Sequence, residues 1–164
     1  MAAPFSSSPE TKAMAALINC RTFRIEWGQC DPAGIVFYPQ FLVIFDASTG
    51  QLFSRTGLSA AEMRRDYGII GMPLVEQGAR FLLPCRFDDE VTVESEAGDW
   101  GRASFTMKHR ILKKGQLAVD GFEKRVWAAA DPERPGHIKS KPVPAEIIAC
   151  LSDPTGTTLC RPAR

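Results

Sequence analysis

The stretch from Pro39 to Gly57 constrains the fold more than any other part of this chain. Its apolar positions recur as Phe41, Leu42, Ile44, Phe45, Leu52 and Phe53, close to helical period, and they spread over a wide face. Pro39 stands where the first helical residue belongs, because its missing N–H would be unpaired there anyway. Gly57 is a natural terminator. A helix with this much apolar surface cannot lie on the outside of a molecule. It has to be wrapped, and the sequence around it reads as sheet.

Ahead of the helix, Phe23 to Trp27 alternates apolar and polar residues, as a half-buried strand does. Just after it, Ser59-Ala60-Ala61-Glu62 is a capping box, which predicts a short second helix through about Asp66. Beyond Gly71 the period changes to two, and strands are expected at Leu74–Leu83, Glu90–Glu96, Ala103–Leu112 and Leu117–Ala129. Asp88-Asp89 and Lys113-Lys114-Gly115-Gln116 read as turns between neighbours, and Gly121 as a bulge or bend within the last stretch. A closing helix is expected from Pro144 to Leu151. The order is strand, long helix, then four antiparallel strands on short connections, which makes the class α+β. The hotdog fold, a curled antiparallel sheet around a central helix, has this order. One such unit leaves a sheet edge open, so a homodimer at least is expected, and a homotetramer built from it.

The chain has 164 residues, which suits one domain with a real core. We divide it into an N-terminal arm over 1–18 expected to be disordered, a folded domain over 19–152, and a flexible tail over 153–164. Either Met1 or Met14 can serve as the start. A formal net charge of +1 argues against a nucleic-acid or membrane partner, and no apolar run nears the roughly 20 residues a span requires. The first ten residues lack a basic and then apolar export signal, so a cytoplasmic location is expected. Five cysteines with no CxxC spacing then read as reduced thiols. With His109 and His137 as the only histidines, neither a metal site nor a cofactor is expected.

The chemistry concentrates in Asp31-Pro32-Ala33-Gly34-Ile35-Val36-Phe37-Tyr38. Here an acidic residue enters a loop bent by Pro and Gly, and the loop runs into the helix start. One carboxylate is thereby set against the positive end of a helix dipole, beside free backbone N–H groups. That pairing can bind a carbonyl and attack it. The usable donors are the amides of Tyr38, Gln40 and Phe41, since Pro39 has none. Cys30 lacks a neighbouring base in sequence to make it a nucleophile, and His109 reads as a structural strand residue.

The run from Glu26 to Pro39 resembles the signature of the 4-hydroxybenzoyl-CoA thioesterase family. Gly68-Ile69-Ile70-Gly71-Met72-Pro73, Phe87-Asp88-Asp89 and Trp100 through Phe105 fit the same family in the same order, so that the likeness spans roughly Phe23 to Ser152. It implies a hotdog acyl-CoA thioesterase without a cofactor, acting on an aromatic acyl group. Asp31 is then the catalytic carboxylate, as nucleophile or general base, and the Tyr38 N–H polarises the thioester carbonyl. Gly34, Asp46, Met72 and Arg102 are implied on the substrate, with Asp46 facing a ring hydroxyl. Short-chain relatives carry a His where Pro39 stands. The family's Arg-Arg-Lys run for the CoA phosphates is here Gly101-Arg102-Ala103, which leaves Arg102, with Lys108 or Arg110 as other candidates. A short-chain acyl-CoA thioesterase, a hotdog hydratase or dehydratase and a non-catalytic acyl-CoA-binding module are the competing readings.

Overall fold

A computed structural model describes residues 16–157. The expected arm, with Met14, therefore lies outside the described residues apart from 16–18, as does the expected tail beyond 157. Within the described part, Leu17 is 5% exposed and its N–H donates to the Leu151 carbonyl at 3.0 Å, so packing already begins there.

The first strand, β1, spans Asn19–Arg24. It starts and ends earlier than the alternation predicts, because Glu26 and Gln29 lock the next residues into a 3₁₀ turn, Trp27–Gln29, through reciprocal side-chain bonds. The long helix α1 runs Pro39–Arg55, and α2, Ala60–Tyr67, has the expected Ser59–Glu62 box at its start. Strands β2 (Leu74–Phe81), β3 (Glu90–Gly98), β4 (Ser104–Lys113) and β5 (Gln116–Val126) follow. The predicted stretch to Ala129 is broken at Trp127, after which β6 (Ala128–Ala130) pairs with β7 (Ile138–Ser140), a small hairpin the periodicity does not reveal. Helix α3 closes the order at Ala145–Leu151.

The five long strands form one antiparallel sheet in the order β1-β3-β4-β5-β2. Strand β3 alternates buried and half-buried residues from Val91 on, with Val91, Val93, Ser95 and Ala97 turned inward. That inward face wraps α1, whose Phe41, Ile44 and Phe45 sit in one core cluster and whose Leu52 and Phe53 sit in another. This is the hotdog fold. β2 forms one edge of the sheet and pairs with β5 alone.

Gly121 is not the bulge its position suggests. It pairs in register with His109 on β4 and Ala79 on β2, while the register shifts lie at Leu74/Glu76 and Ile111/Leu112. The glycine is there because the helix presses on the sheet. A methyl group at Gly121 would run into the Phe45 ring, 2.7 Å from Cζ. Phe45 lies flat on His109, with centroids 4.6 Å apart and planes 8° apart. Cys20, Cys30 and Cys85 are free thiols, whereas Cys150 is disulfide-bonded, a correction to the expectation that all cysteines are reduced.

Candidate active site

Local bonds fold the loop before α1 tightly. The Asp31 N–H donates to the Ile35 carbonyl and the Gly34 N–H to the Asp31 carbonyl, both at 2.9 Å. Gly34 takes a φ of +74°, a region where a side chain is strained. The Asp31 carboxylate turns back on its own loop: Oδ1 accepts from the N–H groups of Ala33 at 2.9 Å and Ile35 at 3.4 Å. Oδ2 has no partner among the described residues. Asp31 is thus anchored by one oxygen and presents the other, and it is half-buried.

At the helix start, the Phe37 N–H donates to the Gln29 carbonyl at 2.9 Å. The Gln40 N–H donates to Phe37 at 2.9 Å, and the Phe41 N–H to Tyr38 at 3.1 Å. Pro39 has no N–H. From Phe37 to Phe41, Tyr38 alone keeps an amide with no acceptor among the described residues. Of the three donors read from the sequence, tight turns at the helix entrance use two.

Asp31 and Tyr38 line one cleft of about 470 Å³, whose other walls include Phe37, Phe41, Phe81, Leu83 and Cys85. A bridge between Cys30 and Val36, and a 2.8 Å bond from the Val36 N–H to the Cys85 carbonyl, clamp the loop against the chain that leaves β2. The cleft is apolar apart from Asp31 and exposed backbone. Burial pushes the Cys85 thiol upward in pKa, with Lys113 opposing, so this wall stays a neutral thiol. The aromatic and aliphatic walls Phe41, Phe81 and Leu83 escaped the sequence reading. The signal was the run Phe81-Leu82-Leu83, where strand alternation gives way to consecutive apolar residues that remain partly or well exposed.

Asp46 and Met72 come together elsewhere. Asp46 lies about 12 Å along α1 from Tyr38, at ~1.5 Å per residue. Its Oδ1 meets Arg125 Nη2 at 2.6 Å, and Arg125 Nη1 donates to the Met72 carbonyl at 3.1 Å. Behind Arg125 stands buried Glu123, which also accepts from the Thr49 hydroxyl at 2.8 Å and lies 3.3 Å from His109 Nε2. Ser95 Oγ is 2.8 Å from His109 Nδ1. Burial acts to raise the Glu123 pKa, but bonds from His109 and Arg125, the Arg125 charge and the Thr49 hydroxyl outweigh it and hold it at about 2. An ionised Glu123 makes Nε2 the protonated nitrogen of His109, and Nδ1 then accepts from Ser95. The succession Ser95, His109, Glu123 is no hydrolytic triad, because all three residues are at most 1% exposed and out of a substrate's reach. None of Glu123, Arg125 or Ser95 was singled out in the sequence; a Glu-x-Arg on a strand alternating otherwise apolar residues was the available sign.

Arg102 stands apart from both groups. It is exposed in the connection between β3 and β4, where its carbonyl accepts from the Val143 N–H at 2.9 Å. The structure thus joins Asp31, Gly34 and Tyr38 in one place, Asp46 and Met72 in a second, and leaves Arg102 alone. No helix among the described residues is long and apolar enough to cross a membrane.

A model of the thioesterase-like superfamily matches residues 25–151. The 4-hydroxybenzoyl-CoA thioesterase of Pseudomonas sp. (strain CBS-3) is 35% identical over 135 residues, covering 79% of this chain and 94% of that protein. A crystal structure of an Asp-to-Asn mutant of 4-hydroxybenzoyl CoA thioesterase complexed with 4-hydroxybenzoyl CoA superposes with a TM-score of 0.75 at 34% identity, over 83% of this chain and 99% of that one. A gentisyl-coenzyme A thioesterase structure follows with a TM-score of 0.68 at 28% identity, over 82% of this chain and 100% of the other. With a family model matching residues 25–151 and a relative 35% identical over 79% of the chain, on a hotdog fold, the chain belongs to the thioesterase-like superfamily.

Proposed function

We propose that the protein is a thioester hydrolase that splits an aromatic acyl-CoA into free acid and CoA. Asp31 acts on the carbonyl carbon and the Tyr38 N–H binds the carbonyl oxygen. One observation carries this reading: among the described residues, the one amide between Phe37 and Phe41 without an acceptor and the oxygen of Asp31 without a donor belong to two residues that line the same cleft.

As a thioester is attacked, negative charge grows on its oxygen. A fixed N–H at the positive end of a helix meets that charge without reorganising. Asp31 Oδ2 attacks the carbonyl carbon, the C–S bond breaks with its electron pair on sulfur, and the thiolate takes a proton from solvent. Water then hydrolyses the mixed anhydride and restores the carboxylate. In the alternative, Asp31 aligns a water and accepts its proton. We favour direct attack, because Oδ1 is held by two amides and Oδ2 remains as one oriented oxygen. Such positioning is worth an effective molarity of roughly 10⁵ M or more.

The aromatic walls Phe37, Phe41 and Phe81 suit an aryl group, and Pro39 occupies the place of the His of short-chain relatives. Asp46, held by Arg125, is assigned to a ring hydroxyl, with Met72 beside it, and Arg102 to the CoA phosphates. Edge pairing of β2 between two copies would continue the sheet and remove its exposed edge, so the working unit is a dimer at least, with a tetramer formed from dimers.

The test is thiol release from 4-hydroxybenzoyl-CoA, benzoyl-CoA and short-chain acyl-CoA esters. Release should be fastest from the aryl esters. Asp31→Asn should keep substrate affinity while turnover falls by about 10²–10⁴-fold. No thiol release by the wild type from any ester, with binding intact, would make the protein a non-catalytic acyl-CoA binder instead.

A further inference from the structure

Two turns read in the sequence, Asp88-Asp89 and Lys113 to Gln116, meet in the structure. Lys113 Nζ, at the end of β4, lies 2.6 Å from Asp89 Oδ2 and donates to the Pro84 carbonyl at 3.1 Å. The same Oδ2 accepts from the Arg86 N–H at 2.7 Å, and the Asp89 carbonyl accepts from the Ile25 N–H at 2.9 Å. The pair is largely enclosed, with side chains 22% and 19% exposed, whereas the neighbouring Arg24–Asp88 pair is 61% and 63% exposed. Burial acts to raise the Asp89 pKa, but the Lys113 bond, the Arg86 N–H and the lysine charges outweigh it and lower the value. Asp89 is therefore an ionised acceptor that ties three segments of chain together.

One peptide unit links this knot to the candidate site. The N–H of the Cys85–Arg86 peptide goes to Asp89, and the C=O of the same peptide accepts from the Val36 N–H at 2.8 Å. A trans peptide is planar and points its N–H and C=O to opposite sides, so pinning one end aims the other. A charged acceptor on the N–H also polarises the unit and makes its carbonyl the better acceptor. Val36 stands between the two groups that act on the thioester. Ile35, just before it, donates its N–H to Asp31 Oδ1 and accepts from the Asp31 N–H, and Tyr38 follows two residues later. Apart from a long contact of Arg86 Nη1 with the Gly34 carbonyl at 3.5 Å, the Val36 bond is what fastens this loop to the chain leaving β2, among the described residues.

We propose that Lys113, acting through Asp89, is a positioning residue for hydrolysis. It fixes the Cys85 carbonyl, the carbonyl fixes Val36, and Val36 holds the Asp31 carboxylate and the Tyr38 N–H in one geometry. The inference rests on the thioesterase reading above. Neither Lys113 nor Asp89 lines the cleft, so the effect reaches the substrate only through the loop. Displacing reacting groups by about 1 Å costs on the order of 10²-fold in rate, so a side chain remote from the carbonyl can govern turnover. Substrate affinity, which the cleft walls set, depends on it much less.

The experiment compares the full-length wild type with Lys113→Met, Lys113→Arg and, as a control, Arg24→Met, which breaks the exposed pair next door. On an aryl-CoA ester, Lys113→Met should lower kcat by about 10–100-fold and leave KM within about threefold. Lys113→Arg keeps the charge and the donors and should recover to within about fivefold of wild type. Arg24→Met should stay within about twofold. Amide hydrogen exchange followed by NMR gives a second readout. The Val36 N–H should exchange about tenfold faster or more in Lys113→Met, while the amides of central strand β3 keep their protection. Asp89→Asn retains an acceptor for the Arg86 N–H and loses the ion pair, so it should move both readouts the same way by less. It decides the matter if Lys113→Met does not fold. Wild-type kcat in Lys113→Met, a loss of kcat with Val36 protection unchanged, or an equal loss in Arg24→Met would each overturn the assignment. If the wild type hydrolyses no ester, the thioesterase reading falls by itself. Val36 exchange then still decides the role of Lys113: faster exchange supports it, and equal exchange overturns it.

Discussion

Asp46 Oδ1 lies 2.6 Å from Arg125 Nη2, which joins a carboxylate whose side chain is 70% exposed to a guanidinium that is 9% exposed. The pair carries the influence of a buried network to the surface. Arg125 cannot swing away, because Glu123 holds it through Nε at 3.0 Å and Nη2 at 2.9 Å while the Met72 carbonyl holds Nη1. Asp46 therefore meets solvent, or a ligand, from a fixed direction even though most of its surface is free.

The first prediction follows from Glu123. Its folded pKa, about 2, lies below the ordinary glutamate value of 4.5, so it contributes stability above the unfolded value. That stability is lost as pH falls through 4.5 towards about 2. Glu123→Gln leaves the buried Arg125 guanidinium without its counter-charge, and should cost about 3–5 kcal/mol at neutral pH. Melting temperature plotted against pH should fall steeply for the wild type between about pH 5 and pH 2, and more shallowly for the variant. Parallel curves would refute the assignment.

Packing gives the second. Gly121→Ala drives a methyl group into the Phe45 ring and should destabilise by about 1–3 kcal/mol through overpacking. Shortening the obstacle should relieve it. In a double-mutant cycle with Phe45→Leu, measured by urea unfolding, the Gly121→Ala penalty should shrink in the Phe45→Leu background.

Asp46 supplies the third, under the proposed function. If its carboxylate accepts from a ring hydroxyl, Asp46→Asn should lower the ratio of kcat/KM for 4-hydroxybenzoyl-CoA over benzoyl-CoA by roughly 10–100-fold, the range for hydrogen bonds to charged groups. Arg125→Lys should move the ratio the same way by less. A lysine keeps the charge and loses the planar fork that reaches Asp46, Glu123 and the Met72 carbonyl at once.

How much of this was legible in the sequence depended on whether a local rule decided it. Pro39 and the Ser59–Glu62 box fixed two helix starts because capping is a matter of adjacent residues. The wide apolar face of α1 demanded a wrapping sheet, and period-two alternation supplied four strands. Three things could not be read this way. Gly121 looks like a bend, yet it answers to Phe45, a residue 76 positions away in the chain that only the tertiary fold brings near. The Arg125 network runs across three strands and a helix, so no spacing announces it. At the site, the loop's turns were visible in Pro32 and Gly34, but which helix-start amide stays uncommitted depends on the tight bonds made by Gln40 and Phe41. Asp46 and Arg102 illustrate the remaining gap: likeness to a family names a position, whereas contact with Asp31 within one chain is a matter of geometry, and neither residue has it.

The last prediction separates the Tyr38 backbone from its side chain. Tyr38 is 58% exposed and its ring lies edge to face on Phe37 at 5.4 Å, so Tyr38→Phe should stay within about threefold of wild-type kcat, as expected of a surface change. Tyr38→Pro removes the amide proton together with the exposed side chain but leaves the φ unchanged, because Tyr38 already has a φ of −51°, inside the range that a proline ring adopts. If this N–H carries the growing charge on the thioester oxygen, the proline variant should lose about 10²–10³-fold in kcat, the effect of removing one such donor, with a much smaller change in affinity for the acyl-CoA. Circular dichroism and a melting curve for each variant would show that α1 still starts at Pro39. A proline variant that folds and turns over as fast as wild type would move the carbonyl away from Tyr38, since no other amide from Phe37 to Phe41 is free to take its place.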